Sequence, residues 1–482
     1  VIVWFRQDLR LADNPALHAA IATGHPIVPL YIWDESLPPT LGAASRWWLH
    51  GSLAVLASTL DCMEAPLVLK RGRAAAVLDA VIDATGAAGV YWNRSYEPAA
   101  VQRDTALKQS LRSRGLVAES FAASVLFEPW ELKTQNGTPF RVFTPFWKAA
   151  IAQTPRAPLP RPQRIPAPRQ LPASDDLDGW RLRPTQPDWA GGLRAAWTPG
   201  EQSARDRLAD FLARGAAYDR LRDIPGALGT SRLSPHLHFG EIGPHQVWAA
   251  TAAHEPNAGL ASFQRELIWR EFAHHLLFHF PDMPSAPLRP EFAAFPWRAD
   301  AAGLKAWQRG RTGYPIVDAG MRELWHTGWM HNRVRMIVAS FLVKHLMVPW
   351  QDGAAWFWDT LVDADLANNA ASWQWVSGCG MGAAPYFRVF NPMLQGAKFD
   401  PDGAYVRRWV PELAALPDSH LHAPWEAPAE VLASAGVALG RTYPLPIVDH
   451  QAGRDRALAA FKSLGDGVAP PARTPRRRGR AA

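Results

Sequence analysis

Four segments of the 482-residue chain combine residue types that packing alone does not call for. The first is Thr230, Ser231, Arg232, Leu233, Ser234, Pro235. Ser234 ahead of Pro235 suits a helix N-cap followed by a first-turn proline. Two hydroxyls and a guanidinium at a helix start could also cradle a pyrophosphate, although capping is the more ordinary reading. The second, FQRELIWREFAHHLLF, sets Phe263, Glu266 and Arg270 at helical spacing i, i+3 and i+7, with Trp269 three residues after Glu266. One face would then present a carboxylate, an indole and a guanidinium; an ion-paired surface is the competing reading. The third, GWMHNRVRMIVASFL, puts Asn332, Arg335 and Met336 on one face with Arg333 beside them. An amide and a thioether among arginines suit a pocket that meets a base and a phosphate. Ordinary packing of Met336 and a solvated Arg333 would serve as well. The fourth, WFWDTLVDADLANNAASWQW, holds Asp363, Asp365 and Asn369. The acids can meet an arginine such as Arg335, or accept from ring and ribose groups of a nucleotide. The glycine and terminal glutamate of a calcium loop are missing, so no metal is expected. Trp373 and Trp375 flank a glutamine, where indoles could stack on bases or pass electrons.

These segments need a scaffold, and the chain supplies two kinds. Val1–Trp4, Ile27–Trp33, Pro66–Lys70 and Gly89–Trp92 read as buried strands. Asn14–Thr23, Ser45–Leu60, Arg73–Thr85 and a stretch near Ala99–Arg114 read as helices between and after them. That alternation predicts a doubly wound parallel sheet in an α/β domain over residues 1–124. FRQDLRLADNP follows the first strand, without GxGxxG, so a standard dinucleotide site is not indicated. Residues 125–200 read as an interdomain linker, with seven prolines between Gln153 and Ala173 forbidding regular helix. From Glu201 to 468 apolar residues recur at three- and four-residue spacing, as in Ala204–Ala213, Phe263–Phe278, Val317–Thr327 and Val334–His345. This half is expected to be all-α, with a disordered basic tail over 469–482.

The net charge of +7 invites a nucleic-acid reading, but five arginines lie in the tail and four in the proline-rich stretch. Without those nine the remainder carries −2, so any DNA surface must be a local patch. Two cysteines, Cys62 and Cys379, stand in no metal-ligand spacing and fit a reducing compartment. No apolar run has the length of a membrane span, and a soluble, cytoplasmic, monomeric protein is expected. Tryptophan is the unusual residue, with 23 copies, most of which packing explains.

In order along the chain, VIVWFRQDLRLADNPAL, GTSRLSPHLHFG, ELIWREF, GRTGYPIVDAGMRELWHTGWMHNRVRM and DADLANNAASWQWVSGCGMGAAPYFRVFNP resemble the photolyase/cryptochrome family. The likeness runs nearly end to end and is strongest to the branch that repairs cyclobutane pyrimidine dimers. It implies an α/β domain, a wrapping linker and a helical FAD-binding domain. It implies that Tyr218 and Thr230 to Ser234 meet the phosphates and adenosine portion of FAD, and that Phe263 lies near the flavin. Arg335 with Asp363 resembles an ion pair beside the isoalloxazine ring, with Asp365 next to it, and Asn369 matches the residue facing flavin N5. A carboxylate there can relay a proton and an amide cannot, so Asn369 favours the repair branch.

The resemblance also implies an electron-transfer chain of Trp373, Trp350 and Trp297. It implies a substrate pocket of Glu266, Trp269, Asn332, Met336 and Trp375 that receives a dimer flipped out of ultraviolet-damaged DNA. Glu266 would hydrogen-bond the 5′ base. Arg222, Arg270, Arg333, Arg388, Gln395 and Lys398 match the DNA-facing surface. One departure concerns the antenna chromophore. Where some relatives place an Asn–Glu pair that holds folate, YEPAAVQRD has Ala99 and Ala100, leaving folate, deazaflavin, flavin or no antenna open. The rival readings are a blue-light cryptochrome, or a photolyase for (6-4) lesions or single-stranded DNA. The (6-4) branches carry histidines where this chain has Asn332 and Met336.

Overall fold

The computed structural model describes residues 1–381 and 387–464; the basic tail expected over 469–482 lies outside the described residues. Strands β1 (Ile2–Phe5), β2 (Val28–Trp33), β3 (Val68–Arg71), β4 (Gly89–Asn93) and β5 (Val117–Phe121) form one parallel sheet. Their order is β3-β2-β1-β4-β5. Helices α1 (Pro15–Ala22), α2 (Ala43–Asp61), α3 (Ala74–Thr85) and α4 (Pro98–Ser113) make the crossovers. Strand residues alternate between two cores, because successive side chains leave opposite faces of a sheet. Val3, Phe5, Tyr31 and Leu69 pack with Leu17 of α1 and Trp48 of α2. Ile2, Trp4, Leu30 and Val68 pack with Leu78 of α3 and Leu111 of α4. The edge strand β5 was not among the expected strands. Ala118 is its one buried residue, so VAESF lacks the apolar run that betrays the other four.

The region read as linker holds two helices, Phe143–Ile151 and Gly191–Ala196, that its prolines had obscured. Its proline-rich part has neither helix nor strand between 154 and 173 and is tied down by hydrogen bonds. Leu159 N donates to Asp13 Oδ1 (3.0 Å), and Ile27 N donates to the Pro166 carbonyl (2.6 Å). After Glu201 the elements are helices, among them Glu201–Leu212, Ala258–His279, Pro315–Thr327, Asn332–Ser340, Trp350–Thr360 and Leu366–Ser377. The helix expected to reach His345 departs from α geometry at Ser340. Phe341–Leu346 is a π-helical turn that ends at Met347, whose φ of 56° is left-handed. Among the described residues no helix is long and apolar enough to cross a membrane.

The chain gathers into two compact units. One comprises Val1–Pro284, Glu323–His331 and Ala355–Asn369; the other comprises Ser285–Arg322, Asn332–Ala354 and Ala370–Ala482. The helices between Glu201 and His279 therefore group with the sheet.

Buried histidines make both units acid-sensitive. His275 accepts from Phe140 N at Nε2 (3.0 Å) and so must donate through Nδ1 to the Pro129 carbonyl (3.0 Å). A second ring proton would point at an N–H. Burial, with His279 adding to it, pushes His275 down to about 4. Burial likewise takes His245 to about 4 and His345 to about 3. The unfolded chain, with ordinary histidines, binds more protons as the pH drops below about 6.5. This stability is therefore complete above that pH and lost as the pH falls toward the folded values. Buried Glu271, pushed up to about 7, acts oppositely, as do Glu97, Glu128, Asp318 and Asp400, which burial also raises, while His50, His274 and His450, lowered by burial, add to the three histidines. The melting temperature should drop from pH 7.5 to pH 5, and His275→Gln should flatten part of that slope. A flat profile in thermal melts would contradict this balance.

Candidate functional site

The loop Thr230 to Leu233 leads into the short helix Ser234–His238. Leu233, not Ser234, takes the cap position, with Pro235 in the first turn; the expected cap is one residue off. This leaves the Ser234 hydroxyl for other work. It accepts from Trp329 Nε1 (3.3 Å), and Ser231 Oγ accepts from Leu233 N (3.4 Å), so each hydroxyl hydrogen can turn to an outside oxygen. Arg232 sits at φ 53°, a left-handed conformation that an arginine adopts at a cost, with its guanidinium 4.7 Å from the Trp329 ring centre. Leu233, Tyr218 and Phe263 belong to one apolar cluster, in which the Tyr218 and Phe263 rings meet edge-on at 5.4 Å. Hydroxyl donors and a fixed cation next to an aromatic wall match the needs of a dinucleotide phosphate and its rings.

The helix Ala258–His279 carries the next group. Phe263 is buried, while Glu266 one turn later is part-exposed and paired with Arg222, whose Nη1 donates to Glu266 Oε1. Burial alone would weaken the Arg222 charge, but the Glu266 hydrogen bond and the charges of Glu266, Tyr218 and Asp223 together outweigh it and raise the guanidinium above its ordinary value. Trp269 is 37% exposed, with one face stacked on Phe143 at 3.5 Å between ring centres. Arg270, expected on the DNA-facing surface, turns inward instead. Its Nη1 donates to the Ser124 carbonyl (2.6 Å) and lies 3.4 Å from Glu271 Oε1. Helix spacing sets Arg270 one turn past part-exposed Glu266, and it is the Ser124 carbonyl that draws its guanidinium inward.

Asp363 is buried, and Asn369 is part-buried on the helix Leu366–Ser377. Asp365 has partners that its sequence context did not suggest. His274 Nε2 lies 3.5 Å and His238 Nδ1 3.8 Å from its Oδ2. Burial would raise this carboxyl, but His274, His238 and Arg270 overcome that and hold it far below the usual range. Around these groups is a polar cavity of ≈ 20 Å³, lined also by Gln7, Ser95 and Glu97. A water molecule needs about 10–15 Å³ on such a measure, so the space suits one. Glu97, His238 and His274 were missed; the only sequence hint is that His274 stands one helical turn after Arg270.

In the second unit Asn332 is exposed, and Arg333, Arg335 and Met336 are part-buried along the helix Asn332–Ser340. Trp373 and Trp350 are each 2% exposed, whereas Trp297 is part-exposed, and Trp375 is part-buried. Arg333 and Lys398 both lie over Phe399, at 4.5 and 5.1 Å, and Arg388 lies 5.0 Å over Phe390. Gln395 belongs to the same short helix as Lys398, Pro392–Phe399. Each of the three cations is thus held over an aromatic ring.

A larger cavity of ≈ 210 Å³ opens at the carboxyl ends of the sheet strands, lined by Arg6, Gln7, Asp34, Glu97 and Arg103 among others. It lies where the strand order reverses between β1 and β4, the usual ligand crevice of a doubly wound sheet. Ala99 and Ala100 also line it, so methyl groups stand where folate-holding side chains would be.

A doubly wound sheet domain with a crevice at its switch point defines the α/β class to which many nucleotide-binding proteins belong. Two family descriptions match the chain: "DNA photolyase" over residues 1–166 and "FAD binding domain of DNA photolyase" over residues 263–463. The chain is 53% identical to the deoxyribodipyrimidine photo-lyase of Agrobacterium fabrum over 96% of its own length and 98% of the relative's. It is 40% identical to cryptochrome-1 of Arabidopsis thaliana, over 96% of this chain and 70% of that one. A crystal structure of a bacterial class III photolyase from Agrobacterium tumefaciens matches with a TM-score of 0.94 at 53% identity, covering 96% of this chain and 97% of that one. The chain belongs to the photolyase/cryptochrome family.

Proposed function

We propose that this protein is a light-dependent lyase that splits cyclobutane pyrimidine dimers in ultraviolet-damaged DNA, with FAD as its cofactor. When bound, FAD supplies the light-excited electron donor. The hydroxyls of Thr230, Ser231 and Ser234 donate to its phosphates, and Arg232 balances their charge. Tyr218, Leu233 and Phe263 give the apolar wall, Asp363 and Arg335 hold the polar edge of the ring, and Asn369 offers N5 an amide that carries no exchangeable acid. Trp373 and Trp350, both buried, and Trp297, part-exposed, would carry electrons between the cofactor region and solvent.

On the substrate side, Glu266 accepts from the 5′ base, and Arg222 fixes the carboxylate so that it points one way. Trp269 walls the extruded bases, and Trp375, Asn332 and Met336 take the substrate roles that the family resemblance implies. Arg333, Arg388, Gln395 and Lys398 hold the DNA backbone. The sheet cavity would take an antenna chromophore other than a folate held by an Asn–Glu pair. The protein acts as a monomer in a reducing, cytoplasmic setting, in keeping with the free thiols of Cys62 and Cys379.

The observation that carries this reading is the order of residues along Ala258–His279. A buried aromatic, Phe263, comes first, and an oriented carboxylate and a half-open indole follow within two turns. One helix thus offers an apolar surface to a cofactor and a polar, accessible one to a base. The test is to irradiate purified protein with blue light in the presence of reductant and a thymine-dimer oligonucleotide. Recovery of thymine absorbance is expected. Likeness to a plant cryptochrome favours a photoreceptor as the second reading, and light-induced flavin reduction without thymine recovery would select it.

A further inference from the structure

The small polar cavity and the larger sheet cavity share three lining residues, Gln7, Ser95 and Glu97. Glu97 therefore stands between the cavity at the carboxyl ends of the strands and the small polar space around Asp365. Inside that space His238 is 2% exposed at its side chain, its Nδ1 lies 3.8 Å from Asp365 Oδ2, longer than a direct hydrogen bond, and its Nε2 is buried without a protein partner. A buried imidazole in that condition is costly unless a small polar molecule bridges it, and the space suits one water. Asp365 faces both His238 and His274, and its charge favours a proton on His274. Arg270 lines the same space and opposes that proton.

We propose that Glu97, His238 and His274 form a proton-loading site: one proton passes from the sheet cavity, by way of the Glu97 carboxyl and the enclosed space, onto the histidine pair when reduction leaves negative charge on the flavin. The proposal rests on the reading that FAD binds beside the segment Asp363 to Asn369. Burial pushes His274 down, with Asp365 partly offsetting it, so the ring is neutral at rest. Burial and then the like charge of Asp365 push Glu97 up, which makes it easier to protonate than a surface carboxylate. The other charged groups around the site are Arg103 on the Glu97 side and Glu271, which is paired with Arg270. A new negative charge nearby shifts this balance toward protonated histidine. The stoichiometry is simple. Two equivalents of an external one-electron donor would supply the electrons; bound FAD would account for one of the protons consumed, and the histidine pair would take a second from solvent. No bond other than O–H and N–H is exchanged.

The experiment uses the full chain with its flavin, mixed rapidly in weak buffer near neutral pH with reduced methyl viologen, which brings electrons and no protons. A pH-indicating dye counts uptake. The wild type should take up about two protons per flavin. His238→Gln with His274→Gln should take up about one, and Glu97→Gln should still take up two but more slowly, by about tenfold. One proton per flavin in the wild type would overturn the proposal without any variant. So would two in the double variant, or an unchanged rate in Glu97→Gln. Protein purified without flavin absorbance would overturn the cofactor reading together with this one, and is seen before any proton is counted.

Discussion

Trp373→Phe should fold, bind FAD and retain little photoreduction, falling to roughly a tenth of the wild-type rate or less. Each ~1.4 kcal/mol added to a barrier slows a step tenfold, and a benzene ring is harder to oxidise than an indole by several times that amount. Packing gives the substitution a modest cost. Trp373 is buried edge-on against Trp307 at 6.2 Å, and a phenylalanine there leaves a partial cavity worth on the order of 2 kcal/mol. Gly353 explains how so large a ring fits. A Cβ at that position would come within 2.2 Å of Trp373 Cη2 and 2.7 Å of Leu342 Cδ2. Gly353→Ala is thus the steric control, as it displaces the indole without replacing it. The measurement is flavin bleaching under blue light with an external reductant. Unchanged bleaching in Trp373→Phe would remove the tryptophan from the electron path, whatever Gly353→Ala does.

The sheet was legible where its strands are buried on both faces. The apolar run of Ile27–Trp33 announces β2, whereas β5 pairs on one edge only and reads as a polar stretch. Helix spacing gave Pro315–Thr327 and most of Ala258–His279, but no periodicity marks the π-helical turn at Phe341–Leu346. There Lys344 is buried, donating to the Ser377 carbonyl (3.2 Å) with its ammonium 3.0 Å from the Phe387 ring centre, and burial lowers its pKa strongly. At the site, motif resemblance named the residues without giving their partners. Spacing put Arg270 on a shared face with Glu266, yet the Ser124 carbonyl, 146 residues earlier, draws it inward. Asp365 was expected to serve a nucleotide or an arginine, and it faces two histidines from separate helices. Contacts of that kind depend on which chain segments the fold brings together, and no local pattern encodes them.

Glu266 follows the same logic, because the function read into it depends on a partner the sequence did not reveal. Its pairing with Arg222 makes the carboxylate a fixed acceptor, ordered before any substrate arrives. Such preorganisation holds the base in one orientation before the electron arrives, so no side-chain reorganisation is needed at the moment of reaction. Removing a hydrogen bond that involves a charged group costs about 1.5–3 kcal/mol, roughly a ten- to hundredfold effect. Glu266→Ala should lower the yield of dimer splitting per absorbed photon on that scale, leaving FAD occupancy close to wild type. Glu266→Gln keeps an acceptor but loses the charge that engages Arg222, so it should fall between the two. Flavin absorbance against protein concentration gives occupancy, and thymine recovery under calibrated blue light gives yield. Parallel losses of yield and occupancy in Glu266→Ala would mean that the Arg222–Glu266 pair supports the fold of this helix, not the reaction.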